Sequence, residues 1–202
     1  MKSTKPGMGL EVQSALITRL LQEAQTGDRD AEAKLFEALY PELKRLARFF
    51  LSGERANQTL QPTAVVNEAY IKLVGNGGSF SNRTHFFAVA SLIIRQILAD
   101  HARKRSTVKH GGNRVKVELE ERFLIDDASI EVVLAVDEAL DQLQVLDSRQ
   151  AQIVQMRFFG GLTENEVAEY LGVNVRTVRR DWQLAKAWLS GVLGDASQRP
   201  VS

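Results

Sequence analysis

The sequence predicts an all-α protein: two small helical domains joined by a flexible linker, the C-terminal one containing a helix-turn-helix. Three observations carry that expectation. Apolar residues recur at spacings of three and four almost throughout, and the strict alternation of a strand is hard to find. Glycines close the stripes at Gly27, Gly53, Gly75, Gly160 and Gly172. One stretch, residues 106–130, is polar and then acidic and carries no stripe.

Residues 1–9 read as a flexible N-terminus, and residues 10–105 as the first domain. Its first helix has the stripe Leu16, Leu20, Leu21 and Ala24, closed by Gly27. Asp28 or Asp30 can cap the second, whose stripe is Leu35, Phe36, Leu39, Tyr40, Leu43, Leu46, Ala47 and Phe50. Pro41 inside it displaces one backbone hydrogen bond, so a kink or a break is expected there. A third helix opens at Pro62 and Thr63, runs through AVVNEAYIKLV and stops at Gly75-Asn76-Gly77-Gly78. Thr84 is a good N-cap for the fourth, FFAVASLIIRQILADHARKR. The linker, 106–130, contains Gly111-Gly112-Asn113, a short extended piece at VKVEL, and the acids Glu118, Glu120, Glu121, Asp126 and Asp127. Residues 131–194 form the second domain, with Val132, Val133, Val136, Ala139, Leu140 and Leu143 on one helix and Ala151 to Phe159 on the next. Residues 195–202 read as a polar tail.

Composition excludes several classes. At 202 residues, 44% hydrophobic and 25% charged, the chain can bury one or two cores and is too apolar to be disordered. With no cysteine there are no disulfides or thiolate metal sites, and no segment reads as a signal peptide or a membrane span, so a cytoplasmic protein without membrane contact is expected. His85, His101 and His110 lack metal-ligand spacing, and Asp100 and His101, adjacent on a helix, point apart. No GxxxxGK or GxSxG motif occurs. The expectation is no catalytic residue, cofactor, metal or small-molecule substrate. The net charge of +1 is distributed unevenly: through residue 105 Lys and Arg number 15 against 10 Asp and Glu, and after it 11 against 15. The second domain is net acidic, so its DNA-reading capacity must come from local clustering.

That cluster lies in TENEVAEYLGVNVRTVRRDWQLAKAWL, which has helix-turn-helix spacing. Thr163 and Glu166 make a capping box, Val167 and Leu171 the inner edge, and Ala168 is small where a second helix crosses. Gly172 supplies the turn, Val173 anchors it and Asn174 caps the second helix. Val178, Trp182, Ala185 and Leu189 fix the inward face; Trp182 reads as core, and Trp188 lies off the stripe. Arg176, Thr177, Arg179, Arg180, Gln183 and Lys186 then project outward, where arginines can reach guanine edges in the major groove and Asn174 with the helix N-terminus can meet a phosphate. The alternative is a solvated face on an ordinary helical hairpin.

The flanks distinguish an initiation factor from a repressor. EALDQLQVLDSRQAQIVQMRFFGGLTENEVAEYLGVNVRTVRRDWQLAKAWL resembles the promoter-reading domain of bacterial sigma factors, with Leu143, Asp147, Arg149 and Arg157-Phe158-Phe159-Gly160 in the lead-in pattern. The first domain resembles the other obligatory sigma domain, so the chain as a whole is similar to the extracytoplasmic-function (ECF) group. The resemblance implies core RNA polymerase and promoter DNA as partners. ECF factors are commonly held by an anti-sigma protein, a partner that no residue here indicates. In the family, the helix matching PTAVVNEAYIKLV binds the polymerase clamp, which implies Asn67, Glu68 and Lys72 for that contact, with Val65, Val66, Tyr70 and Leu73 structural. Ala64 departs from the acidic residue many relatives have there.

The family's fourth helix and the loop before it recognise and open the downstream promoter element. The resemblance therefore implies Asn82, Arg83, His85, Phe86 and Phe87 for base capture, and Arg95, Arg103, Lys104 and Arg105 for phosphates. On residues alone, the basic run is equally a helix C-terminus favoured by its dipole, and at least one of the two phenylalanines is core. The rival reading is a helix-turn-helix regulator that binds operators without acting as a sigma factor; the βα-alternating sensor domain such regulators usually carry is missing.

Overall fold

The computed structural model describes residues 6–51, 60–74, 79–106 and 130–195, and side chains within 12–193. The glycine runs at Gly53 and 75–78, the extended piece expected at VKVEL, and the acidic linker residues fall outside that set. The described residues form eight helices: α1 (Pro6–Gln25), α2 (Arg29–Leu51), α3 (Pro62–Val74), α4 (Arg83–Ser106), α5 (Ile130–Leu146), α6 (Ser148–Phe158), α7 (Glu164–Leu171) and α8 (Val175–Asp195). The all-α class is as expected, and among the described residues there is no strand.

Several boundaries follow from identifiable chemistry. Pro6 starts α1 ahead of the expected residue 10, consistent with proline's preference for the first helical position. Asp28, not Asp30, caps α2: its Oδ1 accepts from the N–H groups of Asp30 (2.9 Å) and Ala31 (3.1 Å). Pro41 does not end α2, which continues to Leu51; Pro41 and Glu37, whose carbonyl loses its helical donor, are both exposed. The cap of α4 is Asn82 rather than Thr84. Asn82 Oδ1 accepts from His85 N–H at 2.8 Å, and Thr84 is buried within the first turn.

Helix α4 is the centre of the molecule. Phe86, Phe87, Ala90, Ile94, Ile97 and Leu98 are all buried, and the helix touches α1, α3, α5, α6 and α7. On one side lie α1, with Ile17, Leu20 and Leu21, α2, with its stripe from Leu35 to Phe50, and α3, with Val65, Val66, Ala69 and Leu73. Helices α5, α6 and α7 pack on its other side, and α8 packs on those three.

The seam between α1–α4 and α5–α8 is aromatic and close. Phe50 stacks on Phe159 (ring centroids 5.3 Å, 24° between planes) and meets Phe158 edge-on at 5.3 Å. Phe50 and Phe159 are fully buried, which stabilises by about 1.5–3 kcal/mol per side chain. Gly160 lets this region approach α4: a Cβ there would stand 2.6 Å from the Met156 carbonyl oxygen, 3.0 Å from Ser91 Cβ and 3.2 Å from the Phe87 carbonyl oxygen.

Candidate nucleic-acid interface

Helices α7 and α8 are joined by a turn with local causes. Thr163 Oγ1 accepts from Glu166 N–H at 3.3 Å, and Glu166 Oε2 accepts from Thr163 N–H at 2.8 Å, the reciprocal box its sequence implied. Gly172 ends α7 in the left-handed region, φ +65°, where its N–H reaches the Ala168 and Glu169 carbonyls. Asn174 Oδ1 accepts from Arg176 N–H at 2.8 Å and so caps α8. Val178, Trp182, Ala185 and Leu189 are buried, and Arg157 lies over the Trp182 ring at 4.2 Å. Burial lowers the pKa of that guanidinium, with Glu164 opposing the shift. Trp188 is half-buried against the core.

The opposite face carries the expected residues. Arg176, Arg179, Arg180 and Gln183 are exposed, and Thr177 and Lys186 half-buried. Two of these arginines are held by carboxylates: Arg179 Nε by Glu164 Oε2 at 2.6 Å, and Arg180 Nη2 by Asp181 Oδ1 at 3.0 Å. Asp181 is buried and also receives Arg149 at 2.7 Å. Arg176 has no described carboxylate within 4.0 Å. An N-terminal arginine on a capped helix, with further cations along the same side, suits a phosphate backbone and base edges.

The second group of expected residues lies along α4 and is largely engaged with the rest of the protein. Arg83 is clamped between Glu42 and Glu166, both at 2.5 Å, and lies over Phe87 at 4.7 Å. Burial works against that cation, but the two carboxylates more than offset it and hold its pKa above the ordinary value. Arg95 donates from Nε to Asp137 Oδ1 at 2.6 Å, from Nη2 to the Asp137 carbonyl at 2.9 Å and also to Asp141. Arg103 reaches Asp137 Oδ2 at 2.5 Å and Asp100 at 3.5 Å. His85 sits beside Ser81 (3.3 Å) and Tyr170 (ring centroids 6.1 Å). Phe86 and Phe87 are both core, so Phe86 offers no ring to a base in this arrangement. Lys104 is exposed, and Arg105 lies in the last turn of α4. Asp137, Glu42 and Glu166 were not foreseen as partners of these cations.

On α3, Asn67 is exposed, and Lys72 pairs with Glu68 at 3.0 Å. Val65, Val66 and Leu73 are buried, and Tyr70 Oη donates to the Glu32 carbonyl at 3.2 Å. Ala64 is exposed at the start of the helix. Among the described residues no cluster of His, Asp and Glu could hold a metal, and no helix is long and apolar enough to cross a membrane.

A cationic face on a capped helix, carried by an all-helical frame, is compatible with a protein that works on nucleic acid. The profile of the ECF sigma factor family matches residues 14–195. ECF RNA polymerase sigma factor BldN of Streptomyces coelicolor is 24% identical over 191 residues, which cover 90% of this chain and 67% of that protein. The chain belongs to the ECF sigma factor family. Its role is in transcription initiation, with core RNA polymerase and promoter DNA as partners.

Proposed function

We propose that this sigma factor grips its promoter at two points, through two separable units divided at residues 106–130. Helix α8 reads an upstream element as duplex, using Asn174, Arg176, Thr177, Arg179, Arg180, Gln183 and Lys186. The N-terminal unit docks on the polymerase through Asn67, Glu68 and Lys72 of α3. It holds the opened downstream strand with Asn82, Arg83, His85, Arg95, Arg103, Lys104 and Arg105. The observation that carries the reading is the outward face of α8, where Arg176 stands at a capped N-terminus with no described carboxylate partner. On this reading the bridges from Arg95 and Arg103 to Asp137 are exchanged for phosphates when the units part on the polymerase. Opening DNA costs a few kcal/mol per unstacked base, and a factor without an ATPase offsets that by binding the displaced strand.

The test is transcription with purified core polymerase on cellular promoters. Promoter-specific RNA from core plus this protein supports the proposal; binding to DNA without any initiation would instead make it an operator-binding regulator. Arg179→Ala should weaken discrimination at one upstream position by roughly 1–3 kcal/mol, and equal loss on every sequence would contradict base readout. Arg103→Ala with Lys104→Ala should lower permanganate reactivity of the open region.

A further inference from the structure

The second half of α2 carries a cationic groove that the promoter contacts above do not use. It is open to solvent, has a volume of about 380 Å³ and is lined by Tyr40, Pro41, Lys44, Arg45 and Arg48. Pro41, Arg45 and Arg48 are exposed, while Tyr40 and Lys44 are half-buried, with Lys44 Nζ over the Tyr40 ring at 5.0 Å. Glu42, on the same stretch of helix, is turned away and bound to Arg83 at 2.5 Å. Neither Glu37 nor any other described carboxylate lies within 4.0 Å of Lys44, Arg45 or Arg48. That sets them apart from Arg83, Arg95, Arg103, Arg149, Arg157, Arg179 and Arg180, each of which is paired.

The geometry points to a second nucleic-acid site here, one that takes a phosphodiester backbone without reading sequence. From Lys44 to Arg48 the helix advances about 6 Å, close to two phosphate-to-phosphate steps of about 3.4 Å each along the axis of one DNA strand, so the three cations face three successive phosphates. All three cations are placed to meet a phosphate backbone by charge, the term that governs binding without sequence readout. The groove ends at the turn into α7: Arg45 Nη2 lies 3.5 Å from where a Gly161 Cβ would stand. A backbone bound there would lie along the seam, apart from the outward face of α8.

The test measures fluorescence anisotropy of a labelled oligothymidylate with the full chain across a salt series. Neutralising the groove in one variant (Lys44→Gln, Arg45→Gln, Arg48→Gln) should weaken low-salt binding roughly tenfold and flatten the log–log salt slope by about 2, from about 0.7 per lost phosphate contact. Arg45→Lys with Arg48→Lys, which keeps the charge, should retain most of the binding. Wild-type affinity and slope in the neutral variant would overturn the assignment. So would equal loss in the charge-preserving variant, which traces the effect to packing. Displacement of the oligonucleotide by polyglutamate as readily as by unlabelled oligonucleotide at equal charge would also overturn it, making the groove a seat for an acidic protein.

Discussion

Removing the Asp137 carboxylate should cost this protein about 2–3 kcal/mol of stability, because that carboxylate ties α5 to α4. Its side chain is 6% exposed and accepts from Arg95 Nε at 2.6 Å and from Arg103 Nη2 at 2.5 Å. Breaking a fully buried ion pair costs about 3–5 kcal/mol, because the surviving charge is stranded. Here the two survivors differ. The Arg103 side chain is 52% exposed, so it returns to water at little cost. Arg95, at 12%, keeps Asp141 and the Asp137 carbonyl but loses its shortest buried carboxylate contact. The expected loss therefore falls below the fully buried figure. Asp137→Ala should lower the urea midpoint by about 1 M if the denaturant slope is about 2–3 kcal/mol per M, followed by circular dichroism. Arg103→Ala should cost under about 1 kcal/mol, as for an exposed partner. A change below about 0.5 kcal/mol in Asp137→Ala, the range of ordinary surface substitutions, would refute the argument that these bridges hold the seam.

Gly160→Ala should destabilise by about 1–3 kcal/mol, because its Cβ would stand inside van der Waals contact of the Met156 carbonyl oxygen and tight against Ser91; Gly191→Ala, with nothing within 4 Å, should instead gain up to about 1 kcal/mol in thermal unfolding. Thr163→Ala removes the side-chain half of the α7 box and should cost about 1 kcal/mol, measured by the same method. Burial, and Glu32 after it, raise the Tyr70 phenol above its ordinary value of 10.0. The neutral ring is therefore the form folding favours; its contribution is complete below that value and is lost as pH rises beyond it through the raised folded value. Tyr70→Phe should show a shallower alkaline decline in stability than wild type, and identical slopes would remove Tyr70 as a cause.

The turn between α7 and α8 was legible because its signals are local. Thr163 and Glu166 are three residues apart, Gly172 alone answers the left-handed position, and Val178 to Leu189 repeats at helical spacing. The same applies to the stripe of α2. What was not legible depends on contacts across the fold. Arg95 and Asp137 are 42 positions apart in sequence, and nothing near either one marks the other. Pro41 looked like a break because proline removes a helical bond, yet its place on the solvent side lets α2 continue. Asn82 displaced Thr84 as the α4 cap because two plausible caps stood within one turn, and burial of Thr84 decided between them. Phe86 and Phe87 adjoin on a helix that is enclosed on both sides, so a sequence that allows one of them to be core cannot show that both are.

The seam combines two kinds of cohesion, the packed rings of Phe50, Phe158 and Phe159 and the partly buried guanidinium–carboxylate bridges of Arg83 and Arg95. Apolar burial weakens as water cools. The desolvation of buried ions, for its part, becomes less costly with warming. Temperature therefore acts on both in the same direction, and each gives less cohesion to the two halves of the chain as the protein cools.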